Sequence, residues 1–251
     1  MSAQKGWSNS VMGYKDGILV RGPETEDVKI RYSDLSANAR YGVCVKDGAK
    51  KVVVGEGGAG NLIVANEGAG IYAAGSETEV TISDNAIGIY VIEGELCKAG
   101  NLEGIVLEEG IHHVQVVRNV VMYNEQRGVR IDGGAHHNTL QGNEIIRNGG
   151  EGILVTNGAL YNTLRGNRIT ENGGKGIRLS GGGNNEIPAP VIDEFSVERG
   201  RVQGYVAGSV PKGSTVDVFA DAKDEGDVYI GPYVLTSNRF YLQGNVPNGM
   251  Q

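Results

Sequence analysis

The residues best able to do chemistry are grouped. The chain holds four histidines, in two pairs, His112-His113 and His136-His137, set 24 residues apart. Imidazoles at such spacing are candidate ligands for Zn2+ or Cu2+. Glu108 and Asp132 are also 24 apart, and Arg130 lies two residues before Asp132. Residues two apart on an extended segment share a face, so Arg130 and Asp132 should point the same way. A carboxylate beside a guanidinium, with His136 nearby, can take a proton from carbon next to an acidic group whose charge the cation neutralises. Tyr72, Tyr90, Tyr123 and Tyr161 offer aromatic faces for sugar rings, and Tyr72 and Tyr90 both follow Gly-Ile. The acidic stretch Asp221–Asp227 has oxygens that suit Ca2+, or is a solvated turn. The histidines also read as an exposed turn in duplicated sequence. The charged set also reads as surface decoration, since Glu103, Arg127, Glu151 and Lys175 alternate in sign at the same interval.

That interval is the organising fact. Residues 103–126, 127–150 and 151–174 are successive copies, and a fourth begins at Lys175. Gly104, Gly128, Gly152 and Gly176 open them. Within each copy apolar residues alternate. Ile105, Val129, Ile153 and Ile177 form one column, Leu107, Ile131, Val155 and Leu179 a second, Val116, Leu140 and Leu164 a third, and Val121, Ile145 and Ile169 a fourth. Period 2 in short segments means strands with one face inward. Such a coil cannot bury that face alone, but stacked coils can, at a spacing of about 4.8 Å. Helical repeats would show period 3.6.

Asparagines keep the same register: Asn119, Asn143 and Asn167; Asn124, Asn148 and Asn172; Asn138 and Asn162. Stacked Asn side chains can bond along a ladder and tolerate left-handed turns. Upstream, Gly17, Gly42, Gly70 and Gly88 each precede a strand-like run at uneven spacing, which implies loops of varied length. Seven or eight coils result, a rod of roughly 35 Å.

The pattern GIxVxxGAxxNxIxGNxIxxN, carried by residues 128–148 and 152–172, resembles the right-handed parallel β-helix repeat. That repeat occurs in pectate-lyase-like proteins, alginate epimerases and the NosD-like family. The resemblance covers about residues 11–188 and predicts an all-β solenoid over 1–188. Among its carbohydrate-active members, lyases and epimerases of uronic acids need a cation or calcium and a base, roles that Glu108, Arg130 and Asp132 would fill. The chain lacks a DPHD-type epimerase motif and a pectate-lyase-like cluster of Asp ligands followed by Arg.

The repeat stops at Ile187-Pro188-Ala189-Pro190, where the prolines remove donors. The segments VIDEFSV, RVQGYVAG, STVDVFAD, DVYIG and RFYLQG read as antiparallel strands, so 189–251 is expected to be a small sandwich-like module. It resembles the Ig-like modules that follow β-helices in secreted proteins. Such modules usually run further, so the chain is expected to be part of a longer protein with neighbouring domains.

Gly is 41 of 251 residues and Pro only 6, which fits many short strands and tight turns. A net charge of −7 without a basic stripe argues against nucleic-acid binding. No apolar run approaches the roughly 18 residues of a membrane span. The N-terminus shows no signal pattern, so the protein is either intracellular or without its leader in this chain. Cys44 and Cys97 form no disulfide framework, and Cys44, in a Val-Cys-Val run, is expected to be buried. There is no GxSxG, HExxH, P-loop or CxxC pair. Two functions follow as expectations. One is an extracellular or cell-surface β-helix module that binds glycan or serves a structural or adhesive role. The alternative is a lyase, epimerase or hydrolase acting on acidic polysaccharide.

Overall fold

The structure is a computed structural model that describes residues 9–188, 191–198, 201–207, 213–220, 227–237 and 239–243. Residues 9–188 form a right-handed parallel β-helix of three sheets. Sheet 1 stacks Asp16–Arg21, Tyr41–Lys46, Ala69–Ala74, Glu103–Glu108, Val129–Ile131, Ile153–Val155 and Ile177–Leu179. Sheet 2 stacks Lys29–Ile30, Val52–Val54, Val80–Ser83, Gln115–Val117, Thr139–Gln141 and Thr163–Arg165. Sheet 3 runs from Asn9–Met12 through Ser33–Ser36, Leu62–Val64, Ala86–Ile87, Val120–Met122 and Glu144–Ile146 to Arg168–Thr170. All neighbours within these sheets are parallel, and the predicted columns are the observed register partners.

The inward columns make one continuous core that includes Leu35, Ile63, Ile71, Ile82, Ile105, Ile131, Leu140 and Ile145. Between sheets 2 and 3, Asn61, Asn85, Asn119, Asn143 and Asn167 form a ladder, each amide Nδ2 donating to the next Oδ1. Between sheets 3 and 1 the ladder is Asn38, Asn66, Asn101, Asn124, Asn148 and Asn172. A third joins Asn138 to Asn162, and Asn184 continues it by accepting the Asn162 backbone N–H. These side chains satisfy the backbone groups that the corners take out of the sheets. One expectation is corrected. The left-handed residue is the one before the asparagine, as at Arg118, Tyr123, His137 and Arg147, because the ladder amide must point inward while the chain turns. Asn184 is an exception, with φ of 43°.

The opening glycines also stack, for a steric reason. A Cβ on Gly128 would lie 2.4 Å from Ile145 Cγ2 and 2.7 Å from the Gly152 carbonyl. Gly17, Gly42 and Gly70 face the glycine carbonyl of the next coil in the same way. Gly88 does not belong to that column, a correction that sets the number of coils at seven. It opens a hairpin excursion, Ile89–Ile92 paired with Glu95–Lys98, closed by a hydrogen bond from Ala99 N–H to the Gly88 carbonyl. Its tight turn uses Glu93 and Gly94, both at positive φ, as a two-residue primed turn requires.

After the last coil the strands are antiparallel. Val191–Glu198 and Arg239–Gln243 flank Arg201–Ala207, and Thr215–Ala220 pairs with Val228–Val234. This part touches the flank of the rod. Asp217 accepts from the Gly166 backbone N–H at 2.8 Å, and Asp227 accepts from Arg168 Nε at 2.9 Å. Of the stretch proposed for Ca2+, residues 221–226 lie outside the described residues, and the Asp227 carboxylate is taken by Arg168.

Candidate functional site

The outer face of sheet 1 collects four of the candidate residues, Tyr72, Glu108, Arg130 and Asp132. The Glu103-Arg127-Glu151 column is ion-paired, at 3.2 Å and 3.1 Å. One column over stand Leu19, Cys44, Tyr72, Val106, Arg130, Leu154 and Arg178. Glu108 and Asp132 lie in the third, so Glu108, Arg130 and Asp132 come together as expected. Arg130 Nη1 donates to Glu108 Oε1 at 3.0 Å and to Asp132 Oδ2 at 2.6 Å. Glu103 was predicted as decoration, yet it takes the other edge of Arg130 through Nε and Nη2, both at 3.1 Å. Sequence spacing hides this contact because it runs diagonally between coils.

The electrostatics follow. Arg130 is partly buried, which opposes its charge, and three carboxylates outweigh that cost. Burial would raise the Asp132 pKa, but hydrogen bonds from Asn157, Arg130 and the Gly133 N–H hold it below the usual carboxylate value. Glu151, against the same opposition from burial, is lowered by its backbone hydrogen bond and by Arg178 and Arg127. Asp132 is therefore a weakly basic carboxylate that already accepts three hydrogen bonds.

Beside this cluster, the Tyr72 ring stacks on Tyr41, with centroids 4.6 Å apart and planes within 5°. Tyr72 Oη lies 3.3 Å from Glu109 Oε1. Burial, with the charges of Glu108 and Glu109 beside it, pushes the Tyr72 phenol up. Tyr41 was not foreseen; its spacing to Tyr72 is not 24, and its ring reaches across from the neighbouring column. The other tyrosines are elsewhere. Tyr90 sits on the hairpin, opposite Cys97, and is not equivalent to Tyr72, because Gly88 and Gly70 occupy different places in the coil. Tyr123 lies at the corner of sheets 3 and 1, where Lys98 Nζ is 4.9 Å from its ring and Arg147 donates to its hydroxyl. Tyr161 is exposed at the corner of sheets 1 and 2 and stacks on His137. The four tyrosines do not share one surface.

The histidines stand at that last corner. His112 stacks on His136 with centroids 5.0 Å apart, and His113 on His137 at 5.6 Å. The close approach is within each coil rather than along the column: Nδ1 to Nδ1 is 2.7 Å for His112-His113 and 2.9 Å for His136-His137. Successive side chains of an extended strand point apart. Positive φ at His113 and His137 turns both rings of each pair to one side. Burial and the three neighbouring imidazoles hold His136 below the ordinary histidine value. Among the described residues no three His, Cys, Asp or Glu side chains converge on one point as metal ligands. No helix is long and apolar enough to cross a membrane.

This geometry defines a solenoid whose outer columns carry the polar groups, and comparison places it. The profile described as "Right handed beta helix region" matches residues 16–189, and the chain belongs to that family. No curated protein sequence matches it. A double mutant of the periplasmic alginate epimerase AlgG is similar in structure, with a TM-score of 0.56 and 20% identity over 71% of this chain. The A-module of the mannuronan C-5 epimerase AlgE4 of Azotobacter vinelandii gives 0.49 and 21% over 64%. This chain spans 38% of the first protein and 42% of the second.

Proposed function

We propose that this chain is an extracellular or cell-surface β-helix module that binds polysaccharide without turning it over, through the outer face of sheet 1. The observation that carries the reading is the saturation of Arg130 by Glu103, Glu108 and Asp132. A general base needs a free lone pair and a pKa near the working pH. Asp132 is held below the usual carboxylate value while accepting three hydrogen bonds, and four of the five Arg130 N–H groups are taken, which leaves no pair of donors for a substrate carboxylate. What remains is a ridged face: the half-buried Tyr41-Tyr72 stack and paired charges repeating at the coil spacing. Extended glycans fit such a face through ring edges, hydroxyls and exposed carboxylate oxygens. On this reading the strands after residue 188 form an Ig-like module, and 1–188 and 189–251 are separate domains of a longer secreted protein.

The alternative is an enzyme acting on acidic polysaccharide; the similarity to alginate epimerases supports it at the level of fold. Affinity electrophoresis through alginate, polygalacturonate and neutral glycans, followed by proton NMR and ultraviolet absorbance of the recovered polymer, separates the two. The expected result is retardation in at least one acidic glycan, weakened by Tyr72→Ala, with the polymer unchanged. New unsaturated ends or inverted uronates, lost in Arg130→Gln, would establish the enzyme. Free migration through every glycan would end both readings.

A further inference from the structure

The corner between sheets 1 and 2 carries a feature independent of the glycan reading. We propose that each histidine pair, His112-His113 and His136-His137, is a two-nitrogen chelate for a divalent metal that prefers right-angled coordination, Cu2+ or Ni2+ over Zn2+. The geometric reason is the bite. With metal–nitrogen bonds of about 2.0 Å, two ligands at a right angle sit about 2.8 Å apart, whereas tetrahedral ligands sit about 3.3 Å apart. The observed Nδ1 separations are 2.7 and 2.9 Å. Square-planar and tetragonal nitrogen sites are the geometry of Cu2+ and Ni2+, and tetrahedral sites that of Zn2+.

The rings are already oriented for this. Within each pair the planes are nearly perpendicular, 89° and 86°, and each ring stacks on its counterpart in the next coil. Tyr161 covers the free face of His137 at 5.0 Å. Left-handed backbone at His113 and His137 holds the two rings of a pair on one side, and the residue after each, Val114 or Asn138, is fixed by donating its N–H to the ladder asparagine of the next coil. Without metal, one Nδ1–H donates to the other Nδ1. Moving that proton to Nε2 is a tautomer change that frees both Nδ1 lone pairs and leaves no charge behind, and a modest rotation of each exposed ring then turns them onto a shared metal. His113 and His137 are exposed, so water completes the coordination. The four rings do not close on a single ion, because the coils hold equivalent rings 5.0 to 5.6 Å apart. Like charges on adjacent pairs repel, so the first equivalent binds most tightly.

The arrangement makes an unusual demand on paired variants. His112→Gln/His113→Gln removes one pair and keeps the other; His112→Gln/His136→Gln removes the same number of imidazoles and breaks both pairs. Titration of the whole chain with Cu2+, Ni2+ and Zn2+, with electron paramagnetic resonance of the Cu2+ form, reads the difference. The first variant should stay within about threefold of the parent affinity, and the second should lose roughly 100-fold, the gain that linking two ligands provides. The Cu2+ spectrum should be tetragonal with two nitrogen ligands. Any other ranking of the two variants, or Zn2+ binding as tightly as Cu2+, would overturn the proposal. Unchanged far-ultraviolet circular dichroism in both variants checks that the coils remain folded.

Discussion

Asn143 sits near the middle of the ladder between sheets 2 and 3, and its removal tests how the corners are held. Its Oδ1 accepts the Asn119 backbone N–H at 2.9 Å and Asn119 Nδ2 at 3.1 Å. Its Nδ2 donates to the Val116 carbonyl and to Asn167 Oδ1, each at 2.8 Å. After Asn143→Ala some of these groups keep partners. Asn119 Nδ2 still reaches the Ile82 carbonyl, and Asn167 Oδ1 still accepts the residue-143 backbone N–H. One buried group, the Asn119 N–H, is left without a partner, while the Val116 carbonyl loses one of two bonds and keeps the Gln141 N–H of the sheet. At about 1–3 kcal/mol for an unsatisfied buried group, the cost is about 1–3 kcal/mol. Asn172 makes the same kind of contacts in the ladder between sheets 3 and 1, but at the open end of the rod, where it is half-buried. Water can replace it there, so Asn172→Ala should cost about 1 kcal/mol or less. Urea unfolding at neutral pH, read from the shift in midpoint at constant slope, measures both. If Asn143→Ala cost under about 1 kcal/mol, or no more than Asn172→Ala, the ladder would not be supplying the corners' hydrogen bonds.

Three more outcomes follow from the same coordinates. Gly128→Ala should destabilise by about 3 kcal/mol, since the added methyl meets backbone and an Ile methyl at 2.4–2.7 Å. Gly134→Ala, with open space around it and φ of 74°, should cost only about 1 kcal/mol in the same urea assay. Asp132 and Glu151 have lowered folded pKa values, so their stabilisation is full above the unfolded values and is lost as pH falls through the folded ones, below about pH 4. Arg130→Gln reverses that dependence. It leaves Glu103, Glu108 and Asp132 repelling one another, costs about 3 kcal/mol at pH 7, and is partly relieved as they protonate; urea midpoints at pH 7 and pH 4.5 give the sign. A thiol reagent should titrate Cys97, which is half-exposed, in the native chain and Cys44 only after unfolding. Cys44 is fully buried, and burial, with the Asp16 charge, pushes its thiol up to about 11.

The fold was legible where the interval held constant. From Gly104 onward every column could be read by adding 24, and every such column is a register pair. Upstream the same ladders continue through Asn101, Asn66 and Asn38, but the steps are 23, 35 and 28 residues, so counting fails. Gly88 was misread because Gly-Ile-Tyr at 88–90 duplicates Gly-Ile-Tyr at 70–72, while only Gly70 has the next glycine carbonyl stacked against it. In the candidate site, Glu108, Arg130 and Asp132 could be grouped from spacing alone. Their mutual saturation could not, since it depends on Glu103 reaching across columns, and the histidine bite depends on a backbone angle at residues 113 and 137.

The charges on sheet 1 answer a problem that the core leaves open. Each inward column is Ile, Val, Leu or Ala in nearly every coil, and each ladder presents the same amide, so neither distinguishes one coil from its neighbours. A coil stacked one place out of order would bury almost the same surface and remake the same amide bonds. The outer column breaks that degeneracy. Glu103, Arg127 and Glu151 alternate in sign, and Arg130 fits only where Glu103, Glu108 and Asp132 surround it. A misplaced coil would set like charges against each other and strand a partly buried guanidinium, a cost of several kcal/mol. A carboxylate-arginine cluster on a repeat protein is therefore weak grounds for catalysis while its members are ion-paired to one another, as Glu103, Glu108, Arg130 and Asp132 are here.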